Sequence, residues 1–254
     1  MLQKSGLHMP ALGDRMVNIT VVNGGASASE THTVHNNLVY TSGYLQNHLA
    51  SLDKKVTPQL TFHRGRRPVF NVYLHWLYHR TILTIAELCL LNGHKDTRSE
   101  AEIAYHDFED LVLCWGFGHM LQDDRFKDMV MSAIVGRVKH GSDQAQLVQS
   151  LTPQNVKTIY EVTSPESPLR AFLADAVVQF AVPEQVQYFG KNHPIEFIST
   201  VLVKYSQALS QAKAASDGQV KKVAFLNDTA FPDECVFHEH TKTNRPCWRR
   251  ALWA

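Results

Sequence analysis

Histidine is abundant in this sequence, with 14 copies among 254 residues. Imidazole serves both as a metal ligand and as a base near neutral pH. His75 and His79 lie four apart in a helical pattern, the spacing that puts two imidazoles on one face. The residue after His75 is Trp76, not the Glu of a zinc-protease motif. The pair also flanks an apolar stripe, so a solvated or half-buried face is the plainer reading. In the tail, Cys235-x-x-His238-x-His240 with Cys247 offers two thiolates and two imidazoles, a set that zinc accepts as a tetrahedron. That spacing matches no common finger. The competing reading is a tail packed back through Cys235, Phe237, Trp248 and Trp253. No metal or cofactor is therefore assigned, and Cys235, His238, His240 and Cys247 stand as the candidates should a metal bind.

Other catalytic signatures are missing from the sequence. There is no Gly-x-Ser-x-Gly elbow and no phosphate-binding loop. Gly116-Phe117-Gly118 lacks a third glycine and sits in a helical pattern, not after a strand. Asp123 and Asp124 suit the positive end of a helix better than paired acid–base work. No catalytic residue is assigned, and the expectation is a protein that is not an enzyme. The run His63-Arg64-Gly65-Arg66-Arg67, and Lys242, Arg245, Arg249 and Arg250 with Trp248 and Trp253 between them, could touch phosphate or act as a nuclear address. A charged, solvated turn and a loose end explain them more simply.

The elements that must position these residues come from an ordinary globular composition: 44% hydrophobic, 19% charged, and a formal net charge of +1. Such a balance gives no broad electrostatic argument for nucleic acid or a membrane surface. No apolar run approaches the ~20 residues of a spanning helix. Residues 1–13 lack the apolar core of a signal peptide. With four cysteines and no secretion signal, the chain reads as intracellular, in nucleus or cytoplasm, with free thiols.

After a leader over 1–16, Val17 to Val22 has the β-branched, alternating pattern of a strand. Asn23-Gly24-Gly25 signals a turn, and Thr31 to His35 reads as the returning strand of a hairpin. Asn36 or Asn37 could cap a helix from Leu38 to Leu52. Gln59 to Phe62 reads as a third strand and Thr81 to Ile85 as a fourth. Between them, Phe70, Tyr73, Leu74, Leu77 and Tyr78 mark an amphipathic helix that starts at Pro68. Asn92 to Glu102 reads as an exposed loop. Helical stripes follow at Phe108/Leu111/Val112/Trp115 and Phe126/Met129/Val130/Ala133/Ile134/Val138. Three more helices should open at Pro153, Pro168 and Pro194, with Thr152, Ser167 and Asn192 or His193 as caps. The last of these carries the stripe Ile195/Ile198/Val201/Leu202/Tyr205. Residues 207–222 read as a fraying helix end or linker. Mixed strands and helices followed by helices alone describe an α+β protein with a helical extension.

The order of segments resembles a BTB/POZ domain protein of the small type abundant in fungi. Thr33-Val34-His35-Asn36-Asn37-Leu38 with Ser42-Gly43-Tyr44-Leu45 is similar to that family's "F-x-V-H-K-x-L-L…S-x-F-F". Phe70-Asn71-Val72-Tyr73-Leu74-His75-Trp76-Leu77-Tyr78 is similar to "F-x-x-F-L-x-W-L-Y". Gly118, Leu121, Asp124, Arg125 and Phe126 fall in step with "L-V-x-L-Y-x-L-G-D-K-L-x-D-x-R-F". Ile159-Tyr160-Glu161 with Ser167-Pro168-Leu169-Arg170 is similar to "V-Y-x-x-T-x-x-x-S-P-L-R", and Cys235 to His240 gives a fainter echo. The chain departs from the pattern at Asn37, at Tyr44-Leu45 and at Arg67-Pro68. The resemblance implies a BTB/POZ fold, a small mixed sheet on a cluster of helices, over 17–140. A helical extension over 141–206 and a linker with a basic tail over 207–254 would follow. It also implies a protein-binding adaptor or scaffold that self-associates as a homodimer, with Leu38, Tyr44, Leu45 and Leu49 as partner-binding candidates. The partners expected are proteins, with neither membrane nor nucleic acid. The alternative is a regulatory protein whose Cys/His tail binds zinc or contacts nucleic acid.

Overall fold

The structure, a computed structural model, describes residues 12–22, 29–51, 58–62, 67–93, 99–140, 144–190, 192–215, 234–243, 245 and 247. Outside these lie the Asn23-Gly24-Gly25 turn, His63 to Arg66, residues 216–222 of the 207–222 segment, and Trp248, Arg249, Arg250 and Trp253. The protein is α+β, with three strands and many helices among the described residues. Two compact units are formed, one by Met1–Asp96, Leu113–Val130 and His240–Ala254, the other by Thr97–Val112 and Met131–Glu239.

In the first unit, β1 (Met16–Val22) and β2 (Ser29–His35) form an antiparallel hairpin with Ile19 opposite His32. The third strand, β3 (Gln59–Phe62), joins the other edge of β1 in parallel, giving the order β2-β1-β3. Alternation decides the faces: Val17, Ile19 and Val21 of β1 point inward and are buried. The segment after the hairpin is not one helix. A 3-10 turn over Asn36–Thr41 ends at Ser42, and α1 (Gly43–Ala50) starts there. Ser42 caps α1 by accepting from Leu45 N–H, which replaces the cap expected at Asn36 or Asn37.

Helix α2 (Arg67–His79) follows the expected stripe, with Phe70, Tyr73 and Leu77 fully buried. The strand expected at Thr81 to Ile85 does not form. Thr84 and Glu87 instead make a reciprocal capping box, and α3 (Ile85–Leu91) begins there. Of the loop expected over Asn92 to Glu102, residues 94–98 lie outside the described residues, and α4 (Glu100–Met120) already starts at Glu100. Helix α4 ends at Met120, Gln122 lies in the left-handed region at φ +54°, and α5 (Asp124–His140) begins two residues later. Gly118 makes that tight return feasible, since a Cβ there would meet Phe126 Cδ1 and Lys127 Cγ, each at 2.9 Å. Phe62, Phe70, Tyr73, Trp76, Phe117 and Phe126 form one aromatic core, with Tyr73 edge-on to Phe126 at 4.9 Å.

The second unit is helical. Helices α6 (Gln144–Ser150) and α7 (Pro153–Val162) precede α8 (Pro168–Phe180), whose Leu169, Phe172, Leu173, Ala176 and Val177 are fully buried. Thr152 caps α7 as expected, accepting from Asn155 N–H, whereas Ser167 stands at the start of α8 without a capping bond. Arg170 of α8 donates to the carbonyls of Tyr160 and Thr163 and stacks 4.1 Å over the Tyr160 ring. This ties down the C-terminal end of α7 and gives the Ser-Pro-Leu-Arg motif a structural role. A short turn, α9 (Pro183–Val186), leads to the long α10 (Ile195–Ala215). Pro194 precedes α10, and its carbonyl accepts from Phe197 and Ile198. In the tail, a 3-10 turn over Glu234–Phe237 is followed by α11 (His240–Thr243).

Candidate functional site

The tail residues Cys235, His238, His240 and Cys247 converge, with one candidate ligand atom from each lying within 4.8 Å of all the others. Local backbone geometry brings this about. His238 N–H donates to Cys235 C=O at 3.1 Å, closing a 3-10 turn that sets residues three apart on one side. Arg245 N–H donates to His240 C=O at 3.2 Å, just past the end of α11. His238, His240 and Cys247 are buried, and Cys235 is half-buried. Helix α5 holds both rings: Asp128 Oδ2 bonds His240 Nδ1 at 2.8 Å, and Ser132 Oγ bonds His238 Nε2 at 3.0 Å. Asp128 and Ser132 are four apart, hence on one helix face.

The tail ligand candidates were visible in the sequence by residue type, but the groups that orient them were not. Asp128 and Ser132 sit between the apolar positions of the α5 stripe and read as ordinary polar residues. Their four-residue spacing was the available signal. Phe237 fills the apolar part of the packing, edge-on to Phe172 at 5.2 Å. Of the basic tail residues, Lys242 and Arg245 are exposed, and Arg245 lies 3.4 Å from Asp124.

The partner-binding candidates fare differently from one another. Leu38 and Leu45 are 0% exposed and belong to the core of the first unit, so they are corrected as exposed contact residues. Tyr44 and Leu49 are half-buried, the Tyr44 ring tilted against His48 at 4.3 Å. The outward side of α1 carries Gln46, Asn47, His48 and Ala50. Large apolar side chains are instead exposed on α3 (Leu90, Leu91) and along α10 (Ile195, Leu202, Val203, Leu209). The apolar stripe read for this helix is divided between two sides. Phe197 and Val201 face inward, while Ile195 and Leu202 face out at 70% and 62% exposure.

His75 and His79 stack at 4.4 Å, and His75 also bonds the Thr81 hydroxyl through Nε2 at 3.1 Å. Burial, and then the neighbouring His79, lower the pKa of His75. Both rings line a cavity of about 640 Å³ with Leu74, Tyr78, Leu88 and Cys89, a feature that sequence spacing did not suggest. Asp123 is a helix cap, as expected, and more. Its carboxylate accepts from Phe126 N–H at 3.0 Å, from Thr41 Oγ1 at 2.7 Å and from Tyr73 OH at 3.0 Å. Burial, the dominant cause, pushes the Asp123 carboxyl above the usual range, although these hydrogen bonds pull the other way. The Tyr73 hydroxyl is pushed well up by burial and by the Asp123 charge.

No family model, no curated protein and no solved structure matches this chain. Among the described residues, no helix is long and apolar enough to cross a membrane.

Proposed function

We propose that the protein is a non-enzymatic protein-interaction module of BTB/POZ type. One observation carries the interaction reading. Helix α10 is apolar on two sides, and only the side with Phe197 and Val201 is covered. The other side shows Ile195, Leu202 and Leu209 at 70%, 62% and 47% exposure. These three are seven residues apart, the repeat that lines up one seam of a helix for a partner helix. A contiguous exposed apolar strip marks an interaction surface. The BTB/POZ class is supported by chain order: a hairpin, two short helical segments, a third strand parallel to β1, then an aromatic-rich helix.

The test has two arms. Sedimentation of the full chain at high micromolar concentration should show reversible self-association that Leu202→Asp weakens. If the chain is monomeric, capture from native extract should yield proteins that the wild type retains and Leu202→Asp loses. A monodisperse monomer with an identical capture profile for both proteins would remove the reading.

A further inference from the structure

We propose that Cys235, His238, His240 and Cys247 form a structural zinc site, closed by four protein ligands. The first ground is convergence. In a zinc tetrahedron with Zn–S near 2.3 Å and Zn–N near 2.0–2.1 Å, ligand atoms sit about 3.4–3.8 Å apart. The four here already lie within 4.8 Å, so a contraction of about 1 Å, within reach of side-chain rotation, completes the shell. The second ground is the set itself. Two thiolates neutralise the divalent ion and two neutral imidazoles complete four-coordination, so the centre can be buried without a net charge of its own. A full set of protein ligands leaves no open position, the mark of a structural rather than a catalytic site.

The third ground is independent of the ligands. A histidine bound to zinc commonly donates its other ring N–H to a carboxylate, which fixes ring orientation and raises ligand basicity. Asp128 holds His240 through Nδ1 in that way, which assigns Nε2 to the metal. Ser132 holds His238 through Nε2, which assigns Nδ1. Asp128 and Ser132 thus act as positioning residues. The inference does not depend on the protein-interaction reading, and each can fail without the other.

The experiment uses the full chain, purified under reducing conditions and loaded with zinc alone. Elemental analysis should find about one zinc per chain. Cobalt in place of zinc should give the intense visible bands of a tetrahedral ion and a thiolate-to-cobalt charge-transfer band. Cys247→Ser should abolish that band or weaken it to one thiolate. Asp128→Asn should keep the spectrum but loosen zinc about 10–100-fold in competition with a chelator. Substoichiometric zinc after loading overturns the proposal. So does a six-coordinate cobalt spectrum, or a Cys235–Cys247 disulfide that persists in the reduced, loaded protein. If Cys247→Ser fails to fold, the wild-type cobalt spectrum and the zinc count still decide the matter.

Discussion

Removing the carboxylate of Asp123 should be among the most costly polar substitutions in the protein, and its two variants should separate by cause. The side chain is 0% exposed and serves three donors at once: the Phe126 N–H, the Thr41 hydroxyl and the Tyr73 hydroxyl. Asp123→Ala removes a helix cap worth about 1 kcal/mol. It also removes bonds to a charged acceptor worth about 1.5–3 kcal/mol each. These share one carboxylate and do not add in full, so the expected loss is about 3–5 kcal/mol. Asp123→Asn keeps a capping oxygen, because Asn caps as well as Asp. The Thr41 and Tyr73 hydroxyls can turn to accept from its amide, so its loss should be only about 1–2 kcal/mol.

The pH dependence follows from linkage. Burial raises the folded-state pKa of Asp123 above its unfolded value. Between the two values the folded state binds more protons, so stability falls as pH rises. The contribution is fully present below about pH 4, the unfolded value, and is lost as pH rises through the folded one. Asp123→Asn lacks this titration. The stability difference between wild type and Asp123→Asn should therefore shrink from about pH 4 upward and then level off. Urea unfolding followed by circular dichroism across a pH series measures both effects. The reasoning fails if Asp123→Ala stays within about 1 kcal/mol of wild type. It fails equally if the difference grows with pH, as for a carboxylate whose pKa is depressed.

Two further substitutions probe the same unit. Phe70 is fully buried among His32, Phe62, Tyr73 and Phe117. Phe70→Ala should cost about 3–5 kcal/mol in chemical denaturation, and an unchanged midpoint would contradict its place in the core. Gly118→Ala gains about 1 kcal/mol of helix propensity. Its new Cβ would nevertheless meet Phe126 Cδ1 at 2.9 Å, so the net effect should be destabilising by about 1–2 kcal/mol. A stabilised variant would show that the α4–α5 turn can open.

Where the sequence could be read, the reason was periodicity joined to burial on one side. The alternation in β1 and the stripe of α2 each face a single core, so pattern and structure agree. It could not be read where a short polar interaction overrode the pattern. Thr81 to Ile85 is β-branched enough for a strand, but Thr84 with Glu87 supplies two capping bonds that start α3. Leu38 to Leu52 has helical spacing throughout, yet the Ser42 hydroxyl donates to Leu121 C=O at 2.6 Å and accepts from Leu45 N–H. The chain is held extended at that point, and two helices form instead of one. In the tail the ligand types were legible, but their convergence was not, because α5 holds the two rings through Asp128 and Ser132, far away in sequence. On α10 periodicity named an apolar stripe correctly and could not say which of two apolar sides the protein covers.

That ambiguity bears on how strong any association through α10 can be. Fully burying an aliphatic side chain contributes about 1.5–3 kcal/mol. Scaled by their exposure, Ile195, Leu202 and Leu209 offer about 3–5 kcal/mol of gross gain from this helix. Two copies pairing on the strip would double that figure, against about 4–15 kcal/mol for lost translational and rotational freedom. The strip alone therefore supports weak, concentration-dependent pairing and not a tight dimer. A complex stable at nanomolar concentration would need a partner that reaches well beyond these three side chains. In such a complex Leu202→Asp should weaken binding without abolishing it, whereas in the self-associated form the same change should leave a monomer.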